Sequence, residues 1–321
     1  MTGPSVSVVI PVKDDPRVVA CVESVLAAAP EGVPVEILVI DNGSADDFSA
    51  RLGTWLPPGV KLLHDPIPGV YRARNLGITT AGGEVVFFTD ADCLARPGWI
   101  SAGLAMLESG SDIVQGQSGS AGADPASRLL QRRYDGHLRM LSPGDGTETD
   151  TRNMAVRRQV FGAVRFNEHY RRVSDTEFGL VAEARGFRVG YAPAMRVDHD
   201  HDPDLQVFVA KQVCHGWGAQ RLMREHPDVR WHGGHLKLVA RVSDRIAPLP
   251  GSWALARLCE RSALGGAWLL QRCAGRLPGA AGFAWLTALD KLAALAGHFS
   301  YRPGAPEPSP SGILGRRLPR D

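Results

Sequence analysis

The stretch EVVFFTDAD, residues 84–92, constrains the fold of this chain more than any other part of the sequence. Four apolar residues, Val85–Phe88, follow one another without a break, which is typical of a strand buried on both faces of a helix-covered parallel sheet. Asp90 and Asp92 come just past the end of this strand, where open α/β sheets bind their ligands. Two carboxylates at alternate positions can hold a divalent cation there, although they can also simply cap a turn before Pro97.

The preceding residues repeat an alternation of strands and helices. Further strands are predicted at residues 5–12, 36–40 and 60–64. Apolar residues at helical spacing separate the first two, and strands joined by one helix run parallel. Because Asp41 directly follows the second strand, we expect it at the same edge of the sheet as Asp90 and Asp92. The pattern predicts a doubly wound α/β domain with three acids at one edge.

Two arginines add positive charge near these acids. Arg72 and Arg74 open the helix that precedes EVVFFTDAD, directly after the loop PIPGVY. A helix start presents backbone N–H groups and the positive end of the helix dipole to phosphates. Together with the three acids, the arginines indicate a site for a nucleoside diphosphate and a metal ion. The alternative is that both arginines lie on a solvated helix face.

A second group of candidate residues lies further along the chain. A helix is predicted from Ser174, and the spacing of Ser174 and Glu177 fits a capping box, so Asp175 and Glu177 can be residues that stabilise a helix start. His199 and His201 alternate within RVDHDHD, and on a strand both would face one side. With the neighbouring aspartates they can bind a metal, or they can be ordinary core or surface histidines.

Composition narrows the class of protein. The chain of 321 residues is 44% hydrophobic and 22% charged with a net charge of +2, which is ordinary for a globular protein and gives no argument for a nucleic-acid partner. Five cysteines without a CxxC pair favour reduced thiols, and the N-terminus lacks the basic region of a signal peptide. The charge-free run Leu277–Leu289 is shorter than the ~20 residues that span a bilayer. A cytoplasmic protein is therefore expected.

The order and spacing of five sequence blocks support a family resemblance. The blocks are VSVVIPV, VEILVIDNGSADD, GVYRARNLGITTAGGEVVFFTDADC with PGWI, TRNMAVRR, and SDTEFGLVAEARGFRVGYAP followed by a histidine-containing strand end. Over residues 5–220 the chain resembles the inverting family 2 glycosyltransferases of the GT-A fold. The resemblance implies an α/β, Rossmann-like and mostly parallel sheet flanked by helices, with a helical C-terminal extension. The expected domains are a catalytic domain at 1–225, a helical region at 226–301 and a disordered tail at 302–321.

The resemblance also implies roles for the residues of a donor site. Pro11 and the loop after it would line the nucleotide pocket. Asp41 resembles the acid that hydrogen-bonds the base, and Arg74 lies where the family contacts the base or the diphosphate. Asp90 looks like the first aspartate of the DxD pair, which contacts the ribose or the sugar.

The remaining implied roles concern a metal. Asp92, the second aspartate of the pair, is expected to bind Mn²⁺ or Mg²⁺. His199 matches the position that supplies a further metal ligand in many members, and His201 is a less favoured substitute.

The implied reaction moves one sugar from a nucleoside-diphosphate sugar to a hydroxyl acceptor, which can be a glycan, a lipid-linked molecule or a small molecule. Asp175, at the position of the family's catalytic base, would accept the proton of that hydroxyl in a single inverting displacement. Ser174 stands where the family usually has a glutamate, so Glu177 is a second candidate base. The QxxRW signature of processive synthases is absent, which favours transfer of single sugars.

Two other classes of protein compete with this interpretation. A non-catalytic scaffold that binds sugar nucleotides would share the fold, but the chain keeps all the implied catalytic residues. A nucleotidyltransferase would need a basic, glycine-rich loop after the first strand, where this chain has PVKDDPRV.

The C-terminal third alternates helical segments with Gly/Pro breaks. Its tryptophans and leucines are interspersed with arginines. We expect these helices to pack on the catalytic domain or in a homodimer. The alternative is peripheral association with the inner face of the plasma membrane.

Overall fold

The structure is a computed structural model. It describes residues 5–122, 124–138, 149–202, 204–227, 252–273, 276 and 279–315, and of residues 133–138 the backbone alone. The sequence PGDG at residues 143–146, which predicts a loop, lies outside these ranges. The chain divides into two compact units. The sheet unit comprises residues 1–121, 137–169 and 174–200, and the helical unit comprises residues 122–136, 170–173 and 201–321.

Eight strands form one sheet in the sheet unit. They are β1 (Val6–Val12), β2 (Val35–Asn42), β3 (Lys61–Asp65), β4 (Val85–Thr89), β5 (Cys93–Ala95), β6 (Ile113–Ser120), β7 (Asn153–Arg157) and β8 (Val189–His199). Their spatial order is β3-β2-β1-β4-β7-β6-β8-β5. The pairs of β1 with β2 and β4, of β2 with β3 and of β6 with β8 are parallel, whereas β7 runs antiparallel to β4 and β6, and β5 antiparallel to β8. The predicted mostly parallel α/β sheet is confirmed.

Helices alternate with the strands as predicted. In the sheet unit they are α1 (Val18–Ala27), α2 (Asp46–Trp55), α3 (Val70–Thr80), α4 (Trp99–Glu108), a 3₁₀ turn (Arg158–Gly162) and α6 (Ser174–Ala184). Helix α5 (Pro125–Leu138) begins in the helical unit, which also contains α7 (Leu205–Glu225), α8 (Ser252–Cys273), α9 (Gly279–Ser300) and α10 (Pro310–Leu314). Helix α7 precedes the boundary expected at residue 225 yet groups with the helical unit.

Strand β4 is buried on both faces, as its apolar run predicts. Residues Val85–Phe88 are at most 2% exposed. On one face Phe87 meets Trp99 of α4 edge-on at 5.0 Å, and on the other Phe88 meets Phe166 at 5.5 Å. The strand is thus fixed from both sides, and its last residues deliver Asp90 to the edge of the sheet.

Asn153, from the block TRNMAVRR, ties strands to a helix inside the core. Its side chain is fully buried. The Nε1–H group of Trp99 donates to Asn153 Oδ1 at 2.7 Å, and Asn153 Nδ2 donates to the backbone oxygens of Gln117 at 2.7 Å and Met195 at 2.8 Å. A buried amide whose groups are all engaged is a strong geometric constraint. It joins α4, β6, β7 and β8 beside the edge that carries the acids.

Two features of β8 differ from the sequence pattern, which predicts a strand at residues 187–191. The strand extends to His199 instead of ending at Tyr191, because it pairs first with β6 and then with the unpredicted strand β5. Successive residues of β6, Gly116 and Gln117, pair with Ala192 and Arg196, so residues 193–195 bulge out of the ladder. The bulge accommodates a proline, which has no N–H to donate.

The helical unit is held by close contacts between small residues. Helices α7 and α9 approach so closely that a Cβ on Gly216 would lie 2.2 Å from the backbone oxygen of Ala294, and one on Gly297 would lie 2.1 Å from that of Val213. Within the segment expected to be a disordered tail, α10 is capped by the preceding Ser309, whose Oγ accepts the N–H of Gly312. Among the helices described, none combines the length and apolar character needed to cross a membrane.

Candidate active site

The two residues predicted to bind metal lie side by side at the end of the sheet. The antiparallel pairing of β5 with β8 puts Cys93 opposite His199. Asp92, directly before β5, therefore has its Oδ2 atom 3.2 Å from His199 Nε2. Burial opposes ionisation of the Asp92 carboxyl, but the hydrogen bond and charge of His199, and then the charge of Arg17, hold its pKa well below its ordinary value. Asp92 is thus a charged carboxylate next to an imidazole.

The donor atoms in this place suit a hard divalent cation. Ligand atoms of Asp92, Cys93 and His199 all lie within 4.8 Å of one another. Burial raises the pKa of the Cys93 thiol well above its ordinary value, so the thiol stays protonated and is a poor ligand. A carboxylate is a ligand for both Mg²⁺ and Mn²⁺, whereas an imidazole suits the transition metal better. The residues therefore fit Mn²⁺, with further oxygens to come from a bound ligand or water.

His201, the other predicted histidine, does not join this group. Strand β8 ends at His199, so the alternation that would have put both histidines on one side stops there. His201 belongs to the helical unit, where its Nε2 atom lies 3.1 Å from Gln131 Oε1. The prediction that both histidines face one side of a strand is wrong because the strand is too short.

Arg17, which the sequence analysis did not single out, brings a cation to the same acids. Its guanidinium lies 2.7 Å from Asp15 Oδ2, 3.0 Å from Asp200 Oδ2 and 3.8 Å from Asp92 Oδ2. The hydrogen bond with Asp15 is the largest cause of a raised Arg17 pKa. A signal was present in the sequence, since Arg17 follows the carboxyl end of β1, one of the parallel strands that end at this edge.

Asp90 is paired with Arg74 of α3. Arg74 Nη2 donates to Asp90 Oδ1 at 2.5 Å, and the guanidinium lies 5.4 Å from the centroid of the Tyr71 ring. Gly77, one turn later in α3, allows the helix to lie against β1, because a Cβ there would come within 2.4 Å of Val9 Cγ1. Close helix–strand packing therefore carries Arg74 to the end of β4, where it is only 3% exposed.

Two buried polar atoms at this edge have no hydrogen-bond partner among the described residues. They are Arg74 Nε and Thr89 Oγ1, the latter in the last residue of β4. Buried polar groups without a partner are uncommon in native proteins and call for an explanation such as a bound ligand or water. Both atoms adjoin Asp90, at the place where a donor is expected.

The carboxylate of Asp41 is buried and hydrogen-bonded to other groups of the protein. Its Oδ1 atom accepts the N–H of Ser44 at 3.1 Å, and its Oδ2 atom is engaged by the hydroxyl of Ser49 and by His64 Nδ1 at 3.1 Å. Burial opposes ionisation, but these hydrogen bonds outweigh it and lower the pKa of Asp41. In this structure Asp41 fixes the loop after β2, and its contact with a nucleotide base stays a prediction.

The loops after β1 and β2 are tied to each other. Pro11 lies within β1, opposite Ile40 of β2. Just beyond it, Lys13 Nζ donates to the backbone oxygen of Gly43, and Asp14 Oδ1 accepts the N–H of Ala45 at 2.7 Å. The loop after β1, which is expected to line the nucleotide pocket, is therefore fixed to the loop after β2.

Asp175 lies in the first turn of α6. Its Oδ1 atom accepts a hydrogen bond from Tyr71 Oη at 3.0 Å and another from the N–H of Thr176 at 3.0 Å. Tyr71 also adjoins Arg74, so a single aromatic ring contacts both the predicted base and the arginine paired with Asp90. The predicted donor and base residues thus share one region of the sheet unit.

The residues flanking Asp175 hold a loop. Ser174 Oγ accepts the N–H of Asn167 at 2.7 Å, and Glu177 Oε1 accepts from Asn167 Nδ2 at 3.3 Å. Glu177, the second candidate base, is 7% exposed. Both side chains therefore hold the loop before α6 in place. Of the two candidate bases, Asp175 and Glu177, Asp175 is the better placed.

Asp150 and Arg152 form an additional ion pair that the sequence analysis missed. Because β7 runs antiparallel to β4, with Asn153 opposite Thr89, its first residues lie at the edge where β4 ends. Arg152 Nε lies 3.0 Å from Asp150 Oδ2. Loss of hydration, and then the charge of Asp175, raise the pKa of Asp150 to about 7. A second titrating carboxyl therefore lies within electrostatic reach of the predicted base.

Comparison with known families identifies the family of this chain. The family model described as Glycosyl transferase family 2 matches residues 7–172, just over half of the chain. The chain belongs to glycosyltransferase family 2. The match extends from the second residue of β1 through β7, includes Asp41, the Asp90–Arg74 pair and Asp92, and ends shortly before Asp175.

Named relatives are also glycosyltransferases. Glycosyltransferase AglE of Haloferax volcanii is 28% identical over 200 residues, which cover 60% of this chain and 65% of the relative. Pre-mycofactocin glycosyltransferase of Mycobacterium tuberculosis is 27% identical over 244 residues, 71% of this chain and 50% of the relative. Mouse polypeptide N-acetylgalactosaminyltransferase 15 is 33% identical over 110 residues, 32% of this chain and 17% of the relative. The chain thus spans less than two thirds of the length of these relatives.

Proposed function

We propose that this family 2 protein transfers a single sugar from a nucleoside-diphosphate sugar to a hydroxyl acceptor, with inversion at the anomeric carbon. The observation that carries the proposal is the convergence of the Asp92–His199 pair, the Asp90–Arg74 pair and Asp175 at one edge of the sheet. Carboxyl ends of strands are the usual ligand sites of such sheets.

The donor would lie against Asp90 and Arg74. The unpartnered Nε atom of Arg74 and the Thr89 hydroxyl are the groups available to oxygens of the ribose or the diphosphate. Asp92 and His199 would hold Mn²⁺ or Mg²⁺. The ion would supply positive charge that stabilises the departing nucleoside diphosphate.

Asp175 would act as the general base. The acceptor hydroxyl gives its proton to an Asp175 oxygen while its own oxygen attacks the anomeric carbon. The bond from that carbon to the diphosphate oxygen breaks on the opposite face, and the diphosphate leaves with the electron pair. Tyr71, which donates to Asp175 Oδ1, orients the carboxylate so that its other oxygen can face the acceptor.

A non-catalytic scaffold that binds sugar nucleotides is the alternative proposal. Donor turnover separates the two. The chain is incubated with Mn²⁺ and UDP-, GDP-, dTDP- or CDP-sugars, with water and simple alcohols as acceptors, and free diphosphate and the anomeric configuration of the product are followed by NMR.

Turnover of one donor class with inversion, lost in Asp175→Asn and retained in Asp47→Asn, supports the transferase. Asp47 is a matched control because it is an exposed aspartate in the first turn of α2. Binding of a diphosphate without any turnover would favour the scaffold. Retention of the anomeric configuration would contradict the single displacement.

A further inference from the structure

Helix α8 of the helical unit exposes a face that mixes large apolar residues with arginines. The apolar residues include Leu258, Trp268 and Leu269, which are 62%, 48% and 44% exposed. Leu258 is the second most exposed large apolar side chain among the described residues, after Trp253 near the start of the same helix. Exposed apolar groups of this density mark an interaction surface.

The face is continuous along the helix. Spacings of three and four residues place side chains on one side of a helix. The residues related in this way are Leu255, Leu258, Arg261, Gly265, Trp268, Leu269 and Arg272. The opposite side of α8 is buried and includes Ala263, Ala267 and Leu270. The helix is therefore anchored in the helical unit by one side and presents the other, which we term the α8 face.

All exposed charge on α8 is positive. Its basic residues are Arg257, Arg261 and Arg272, and its one acid, Glu260, is 7% exposed and lies 3.7 Å from Arg257. The guanidinium of Arg272 stacks on the Trp268 ring at 3.6 Å from the centroid. An indole flanked by arginines combines an apolar surface with a cationic tip, the composition that suits the boundary between lipid headgroups and acyl chains.

We propose that the α8 face binds the surface of an anionic lipid bilayer. The helix would lie in the plane of the interface, with the leucines and Trp268 of the α8 face among the upper acyl chains and its arginines at the lipid phosphates. Its 22 residues extend over about 33 Å, long enough for several headgroup contacts.

Charge complementarity favours lipid over a second copy of this chain. A two-fold contact brings the same residues of two copies together, so arginines of one α8 face would meet arginines of the other. The face has no exposed acid to separate them. An anionic bilayer removes this repulsion and turns each arginine into a favourable contact.

The proposal does not depend on the sugar-transfer activity. If that activity holds as well, binding at a bilayer would bring the protein to lipid-linked hydroxyl acceptors. The test uses the full chain with vesicles that contain neither donor nor acceptor, so its outcome is separate from that of the proposed function.

Co-sedimentation is measured with vesicles of phosphatidylcholine alone and of equal parts phosphatidylcholine and phosphatidylglycerol. We expect binding to the anionic vesicles, little binding to the neutral ones, and a loss of binding in 1 M salt, where the screening length falls to ~3 Å. Each basic residue near an anionic surface contributes about a factor of five, so Arg261→Gln/Arg272→Gln should bind roughly 25-fold more weakly. Leu269→Glu should bind at least about tenfold more weakly.

Matched variants on the sheet unit serve as controls. Leu26 is 45% exposed on α1, against 44% for Leu269, and Arg51 is exposed on α2. Leu26→Glu and Arg51→Gln should bind vesicles like the wild type, and all variants should keep its melting temperature because the changed side chains are exposed.

Several outcomes would overturn the proposal. Absence of binding to either vesicle would do so, as would binding that Leu269→Glu and Arg261→Gln/Arg272→Gln leave unchanged. Analytical ultracentrifugation provides the remaining comparison: a dimer that Leu269→Glu dissociates would assign the α8 face to a second copy instead of lipid.

Discussion

Two arginine–aromatic pairs show how differently the two units use the same side chains. In the sheet unit, Arg74 lies 5.4 Å from the Tyr71 centroid, is 3% exposed and is paired with Asp90. In the helical unit, Arg272 lies 3.6 Å from the Trp268 centroid, and both residues are exposed with no acid paired to Arg272 among the described residues. The first pair is enclosed by a charge-balanced site. The second presents unbalanced charge to the outside.

The two pairs contain the same kinds of side chain, so what distinguishes the candidate active site from the exposed surface is the burial of the arginine and the neutralisation of its charge. At the sheet edge Asp92 lies 3.8 Å from the guanidinium of Arg17, and Asp90 is paired with Arg74. Such compensation allows several carboxylates to share a small space. On the α8 face no acids are present to balance the arginines.

Asp175→Asn tests whether the sheet edge that carries Asp90 and Asp92 is catalytic. An amide keeps the shape of the side chain but cannot take the acceptor proton, so kcat should fall by about 10²- to 10⁴-fold. The affinity for the donor diphosphate, measured by isothermal titration calorimetry, should stay close to that of the wild type. Full activity in this variant would remove Asp175 from the mechanism.

Asn153→Ala tests the structural support of the edge. The change leaves the Trp99 indole N–H and two backbone oxygens without their partner. The free energy of unfolding should fall by about 3 kcal/mol in urea denaturation. Gln159→Ala, at an exposed position, should change it by less than about 0.5 kcal/mol. Equal stability of both variants would contradict the role assigned to Asn153.

Asp150→Asn tests the raised pKa next to Asp175. The folded protein holds a proton on Asp150 up to pH about 7, whereas the unfolded chain releases it near the ordinary value of 3.8. The folded state therefore binds more protons between these values, and stability falls as pH rises through this window.

Asp150→Asn has no carboxyl group at this position and therefore lacks the fall in stability with rising pH. Because the Asp150 side chain is 32% exposed, the effect is discounted for solvent screening. The free energy of unfolding of Asp150→Asn, relative to the wild type, should rise by about 1–2 kcal/mol between about pH 4 and pH 8. Glu31→Gln, exposed in the loop after α1, should show no such trend. A flat difference for Asp150→Asn would place its pKa near the ordinary value.

Leu269→Glu has the smallest expected effect and tests whether the α8 face is exposed. Since Leu269 is 44% exposed, the free energy of unfolding should change by less than about 0.5 kcal/mol. Turnover of a water-soluble donor and acceptor should be unchanged. A large loss of stability in denaturation would mean that the α8 face is covered within the chain itself.

Local sequence patterns predicted the strands and helices of the sheet unit but only some residues of the candidate active site. The apolar run Val85–Phe88 and the acids after it depend on neighbouring residues only, and the structure confirms the buried strand they predict. Asp150 is different. Asp150 precedes β7, which is antiparallel to β4, so the start of β7 lies at the edge where β4 ends. The direction of β7 depends on its pairing with residues that are far away in sequence. The sequence contains Asp150 but not the strand direction that makes it relevant.

The same reasoning explains His199 and Arg17. The position of His199 was expected from resemblance, but its contact with Asp92 arises from the three-residue strand β5, which is too short to give a pattern. Arg17 approaches Asp92 through the turn between β1 and α1. Non-local pairing and loop geometry therefore decide the contacts that local periodicity leaves open.

The most direct test of the central claim measures whether the sheet edge binds a nucleoside diphosphate together with a metal. Thermal unfolding is followed with UDP, GDP, dTDP and CDP, each with and without Mn²⁺, for the wild type, Asp92→Ala and the exposed control Asp47→Ala. At a ligand concentration 100 times the Kd, binding should stabilise the folded protein by about 2.7 kcal/mol. We predict that one diphosphate does so only with Mn²⁺, in the wild type and Asp47→Ala but not in Asp92→Ala. Equal stabilisation of Asp92→Ala, or none of the wild type by any diphosphate, would contradict the account.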